Sequence, residues 1–64
     1  MNRLKEMRAA RRIRQFDLTI RTGIAQSRLS FIENELVQPS ESEKAKLAKV
    51  LEVKAEKIFP HDIQ

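Results

Sequence analysis

The chain has one glycine, and its position constrains the fold more than any other feature: Gly23 falls between two short amphipathic stretches within residues 15 to 34. Before it, Leu18 and Thr22 stand one helical turn apart, and Asp17 lies in the first turn, where a carboxylate suits the positive end of the helix dipole. After it, Ile24, Leu29 and Ile32 form a second apolar stripe that leaves Gln26, Ser27, Ser30 and Asn34 on the opposite side. Glycine enters the left-handed backbone region without steric cost, so Gly23 is where the first helix stops and the chain turns sharply. The pattern is helix, tight turn, helix, with a polar outer face on the second helix.

Sixty-four residues make one domain, 1–64, with a single small core. The absence of cysteine excludes disulfides and thiolate metal sites. With no Trp or Tyr and only three Phe, the composition suits a helical domain rather than a β-barrel. The start of the chain lacks the apolar run of a signal peptide, and nothing approaches the ~20 apolar residues needed to cross a bilayer, so a cytoplasmic protein with no membrane contact is expected. Net charge is +4, unevenly distributed. Residues 1 to 32 carry eight Lys or Arg against Glu6 and Asp17, whereas residues 33 to 64 carry five Lys against seven acids. All seven arginines lie in the first half, so a polyanion would meet the end that holds the helix pair; the alternative is a merely solvated helical surface.

The stretch resembles the phage-repressor-like helix-turn-helix (Xre) family of bacterial and phage regulators. Gln15 opens the motif, Leu18 and Ile24 flank the turn made by Gly23, Gln26-Ser27 begin the second helix, and Leu29-x-x-Ile32-Glu33-Asn34 close it. The resemblance runs from about Leu4 to Phe59. It implies an all-α, compact five-helix, lambda-repressor-like domain with helices over 2–12, 15–22, 26–34, 41–51 and 55–59, and a frayed tail at 61–64. It also implies that the third helix enters a major groove.

Taken in order, Leu4, Met7 and Ala10, with Ile13 beyond, give the first helix one buried stripe. The resemblance implies that Arg8 pairs with Glu33, tying the first helix to the third as scaffolding. If buried, such a pair costs about 3–5 kcal/mol when one partner is removed. The chain departs from the family pattern at Arg12, where a glycine is usual, and at Arg14, where a Ser or Thr usually caps the second helix. Arginine accepts no hydrogen bond, so roughly 1 kcal/mol of capping is lost, and a basic side chain at a helix amino terminus fits a bound phosphate or simple tolerance at a surface turn. Gln15 is expected to contact the DNA backbone and to brace Gln26. Thr19 replaces a usual alanine, and Thr22 a usual large apolar residue, which should leave the core less well filled. Phe16 and Ile20 look outward.

On the third helix the candidate base-reading residues are Gln26, Ser27, Ser30 and Phe31. Gln26 can pair in bidentate fashion with adenine N6 and N7, and an exposed Phe31 suits a thymine methyl group, so an A/T-leaning half-site is expected; Phe31 could instead pack in the core. Ala25 offers no capping oxygen. Arg28, Asn34 and Gln38, with Arg14 and Gln15, are the candidate phosphate contacts. The loop Glu35-Leu-Val-Gln-Pro39 lacks the basic residues common in the family. Ser40 and Glu43 form a capping box for the fourth helix, whose wet side is assigned Lys44, Lys46 and Lys49. Val53, Ile58 and Phe59 either seal the core or, as the resemblance implies, form a dimer interface.

Catalysis has no basis here: there is no cysteine nucleophile and no glycine-rich phosphate loop, and the adjacent His61 and Asp62 do not make a metal site, which needs three or four ligands. No cofactor, metal or small-molecule ligand is expected. The expected function is a sequence-specific double-stranded DNA-binding transcriptional regulator, repressor-like, acting as a homodimer on a near-palindromic operator with half-sites ~34 Å apart. The alternative is a protein-interaction module, such as an antitoxin or bridging factor, using the apolar set Ile20, Phe31, Leu36, Val37 and Phe59 to hold a partner protein.

Overall fold

The fold gathers aliphatic side chains from every helix into one small core. The computed structural model describes residues 2–60. Among these, the elements are α1 (Leu4–Ala10), α2 (Gln15–Thr22), α3 (Gln26–Glu33), α4 (Glu41–Leu51) and α5 (Ala55–Ile58), with no strand, so the domain is all-α with five helices. The core is Leu4 from α1, Leu18 from α2, Ile24 from the turn, Leu29 and Ile32 from α3, Leu47 and Leu51 from α4, and Ile58 and Phe59 at the end of α5. Every helix contributes, and α2 packs against both α3 and α4. The expected tail at 61–64, with His61 and Asp62, lies outside the described residues.

Each helix boundary has a local cause. The first helix is shorter than the expected 2–12 because it begins only at Leu4, after Arg3 as its N-cap, and Asn2 precedes it, with Oδ1 accepting from the Leu4 N–H (3.1 Å). The same side chain donates through Nδ2 to the carbonyl of Ile32 (2.8 Å), so it also closes the end of α3. The Arg3 N–H donates to the carbonyl of Ile58 (2.7 Å), fastening the start of the chain to α5. At its far end α1 stops at Ala10 because Arg12 turns left-handed (φ 56°), a conformation that glycine adopts most cheaply. Glu35 (φ 62°) and Glu52 (φ 58°) do the same after α3 and α4, and Gly23 (φ 77°) after α2. A left-handed residue costs an L side chain about 1–2 kcal/mol, so only one of these four turns is cheap.

The second helix spans the expected residues. Arg14 cannot accept at its amino terminus, but Asp17 Oδ2 accepts from the Arg14 N–H (3.4 Å), which leaves half of a capping box. At the other end Thr22 is buried, and its hydroxyl donates to the Leu18 carbonyl (2.7 Å) and accepts from the Ile24 N–H (3.2 Å), which pins the turn. The fourth helix opens on the complete box: Ser40 N–H to Glu43 Oε1 (2.8 Å) and Glu43 N–H to Ser40 Oγ (3.1 Å).

Two further expectations are corrected. Ile58 is fully buried and Phe59 is 5% exposed, so neither offers a dimer interface; half-buried Val53 packs beside them. Lys44, assigned to the wet side of α4, is 9% exposed, with Nζ 3.0 Å from Glu41 Oε2.

One buried polar atom among the described residues has no partner, the Thr19 hydroxyl on α2. Burying an unpaired hydroxyl costs on the order of 1–3 kcal/mol. Thr19→Val keeps the branched shape and removes that cost, so it should raise the urea midpoint by the equivalent of about 1 kcal/mol. A lowered midpoint would show that the hydroxyl has a stabilising partner.

Candidate nucleic-acid interface

The site begins with a charge that cannot be left alone. Glu33, on the last turn of α3, has a side chain only 4% exposed. Arg8 of α1 meets it in a fork, Nε to Oε2 at 2.8 Å and Nη2 to Oε1 at 3.3 Å, while Arg8 Nη1 donates to the Ile13 carbonyl (3.2 Å). Glu33 Oε1 also accepts from Gln15 Nε2 (3.2 Å), and Gln15 Oε1 accepts from Gln26 Nε2 at a longer 3.4 Å. A continuous polar chain thus runs from α1 through the end of α3 and the start of α2 to the first residue of α3. Paired and hydrogen-bonded in this way, a buried carboxylate becomes a fixed point of the scaffold.

The outward face of α3 carries Gln26 and Ser27, both exposed, Ser30, half-buried, and Phe31, 48% exposed. Phe31 is therefore not a core residue. Gln26 uses one amide hydrogen on Gln15 and keeps its carbonyl oxygen and second hydrogen for another partner. The contact between Gln15 and Gln26 sets the starts of α2 and α3 side by side. Neither start is capped by a side chain, at Arg14 or at Ala25. Two helix amino termini with open N–H groups, next to an arginine, form a surface suited to anions.

The arginines divide into two groups. Arg3, Arg8, Arg11 and Arg28 pair with Glu6, Glu33, Glu52 and Glu43. Among the described residues Arg12, Arg14 and Arg21 form no such pair, and Arg14 stands beside Gln15 at the exposed end of α2. Arg28 corrects the expectation of a phosphate contact. Its Nε and Nη2 donate to Glu43 Oε2 and Oε1 (2.5 and 2.9 Å), and Nη2 also approaches the Gln38 carbonyl (3.4 Å). Its charge is answered within the molecule, where it braces α3 against the start of α4. Asn34 is similarly occupied, with Nδ2 donating to the Ser30 carbonyl on its own helix (2.9 Å). Gln38 is exposed.

Glu43 carries both tasks at once. The Arg28 guanidinium, reinforced by the Ser40 N–H, pulls its carboxyl down from 4.5 to about 2. Sequence reasoning had found its capping role but not its pairing with Arg28, which only the approach of α3 to α4 creates. Asn2 was missed altogether; its one signal was an Asn just before an apolar-periodic stretch.

Among the described residues no cluster of His, Asp or Glu could hold a metal ion, and no helix is long and apolar enough to cross a membrane. No protein-family model and no curated protein matches this chain.

The depressed Glu43 acidity fixes the sign of a pH effect. Between about 2 and 4.5 the unfolded chain holds a proton on Glu43 that the folded chain does not, so stability is complete above this window and falls as pH drops through it. Urea titrations at pH 5 and pH 3 should show a smaller acid loss for Glu43→Gln than for the parent. Equal losses in both would mean that the Arg28–Glu43 pair is not formed in solution.

Proposed function

We propose that this chain is a sequence-specific double-stranded DNA-binding regulator, repressor-like, that inserts α3 into the major groove. The observation that carries this reading is the pre-set Gln26: an exposed amide at the start of α3, steered by Gln15 and ultimately by the buried Arg8–Glu33 pair. Base reading needs a side chain already aimed, since ordering it on binding would consume affinity.

In this arrangement Gln26 donates its remaining amide hydrogen to adenine N7 and accepts from N6 through Oε1 while still bonded to Gln15. Ser27 reads weakly, Ser30 is partly withdrawn, and Phe31 lies against a thymine methyl group. Arg14 and the open N–H groups of α2 and α3 take phosphates, with Gln15 and Gln38 at the flanks, and these contacts fix register rather than sequence. Arg28 serves this role indirectly by holding α3 against α4. The role is binding rather than catalysis, exercised in the cytoplasm. Each copy measures 31 × 22 × 19 Å, so two copies about a two-fold axis can present their α3 helices ~34 Å apart, one helical turn, on a near-palindromic operator. Such a homodimer has to form through a surface other than Ile58 and Phe59.

Selection of bound duplexes from a random library, at near-physiological salt, tests the reading directly. Enrichment of an A/T-leaning site, in two halves one turn apart for a dimer, supports it; no enrichment overturns it. On the selected site Gln26→Ala should lose ~1–3 kcal/mol of discrimination at one base pair, and an unchanged preference would remove Gln26 from base reading. Arg14→Ala should weaken binding to all sequences and flatten the logarithmic salt slope by about 0.9, whereas an unchanged slope would mean that Arg14 meets no phosphate.

A further inference from the structure

The side of α2 turned away from the core carries features that the α3 face leaves unused. Phe16 and Ile20, one turn apart, are 57% and 66% exposed, an apolar ridge with no partner in the fold. Immediately after Ile20, where α2 ends over α4, lies a cleft of about 500 Å³ lined by Arg21, Thr22, Lys46, Lys49, Val50 and Glu52. Among the described residues, Arg21, Lys46 and Lys49 form no ion pair. The one carboxylate in the lining, Glu52, is 77% exposed and reaches Arg11 at 3.4 Å. Three cations and one carboxylate therefore border the recess, with half-buried Val50 in its lining.

We propose that this recess and the adjoining Phe16–Ile20 ridge dock an acidic segment of a partner protein, one that places carboxylates among Arg21, Lys46 and Lys49 and bulky apolar side chains on the ridge. Charge complementarity names the occupant. Three cations against one carboxylate in a single lining favour an anionic visitor, and the Phe16–Ile20 ridge on the same helix as Arg21 favours one with side chains to bury. A DNA duplex fits poorly: a recess of this size admits side chains rather than a double helix. The inference is independent of DNA binding, because no residue of the α3 face takes part.

The test uses the full chain, ¹⁵N-labelled, and a short fluorescein-tagged peptide of Glu, Leu and Phe, with the same peptide bearing Gln for Glu as control. The expected result is saturable binding of the acidic peptide, amide shifts confined to the end of α2 and the facing turns of α4, and much weaker binding of the control. The double variant Lys46→Glu/Lys49→Glu should weaken the acidic peptide about tenfold. Both positions are exposed, so folding is retained and is checked by circular dichroism. Ile20→Ser should weaken binding without altering its salt dependence. Absence of saturable binding, equal binding of the Gln peptide, or shifts on α3 instead would overturn the proposal. Displacement of the peptide from these residues by a tighter-binding single-stranded oligonucleotide would also overturn it, and would reassign the cleft to nucleic acid.

Discussion

Burial of Glu33 is the constraint from which the rest of the structure follows. A carboxylate with a side chain 4% exposed is tolerated only if its partner is delivered accurately, and delivering Arg8 requires α1 to lie across the end of α3. Once that crossing is set, the second lobe of the carboxylate is free for Gln15, and Gln15 in turn can hold Gln26. Position is thus handed from the least exposed charge in the domain to an exposed amide on its surface. Replacing the ion pair by apolar groups of similar shape could leave the fold intact, but it would end the polar chain that orients Gln26. What the pair confers on the outer face is aim, which a greasy substitute cannot supply.

The parts of the architecture that were legible in the sequence are those with punctuation of their own. The second and fourth helices occupy the residues that Gly23, Pro39 and the Ser40–Glu43 box mark out. Where punctuation is absent, reading was less accurate. The first helix ends through Arg12, a residue whose side chain gives no hint of a left-handed backbone. Glu35 and Glu52 take the same conformation after α3 and α4, although those two helices end at or next to the residues expected of them. The first helix was accordingly drawn too long, because an Asn that closes the end of a distant helix looks, in one dimension, like an ordinary first residue.

The candidate site shows the same division. Gln26 and Ser27 were readable as outward positions from the helical spacing of Leu29 and Ile32, whereas Phe31, one residue from Ile32, was open between surface and core until the packing placed it outside. Arg28, Lys44, Ile58 and Phe59 were misassigned, each for a reason of packing. Whether Arg28 is a free cation depends on how close α4 starts to α3. Whether Phe59 is a surface or a floor depends on how much apolar volume the other helices leave unfilled. Charge and hydrophobicity are properties of residues, whereas availability is a property of the assembled molecule.

The clasp on the first helix has a consequence for how the fold closes. Asn2 bonds to the end of α3, and the Arg3 N–H bonds to the carbonyl of Ile58. The start of α1 is therefore anchored to partners far along the sequence. α5, at four residues, is too short to persist alone. It and the start of α1 hold each other, so the smallest helix of the domain gains its place from contacts that local structure cannot form.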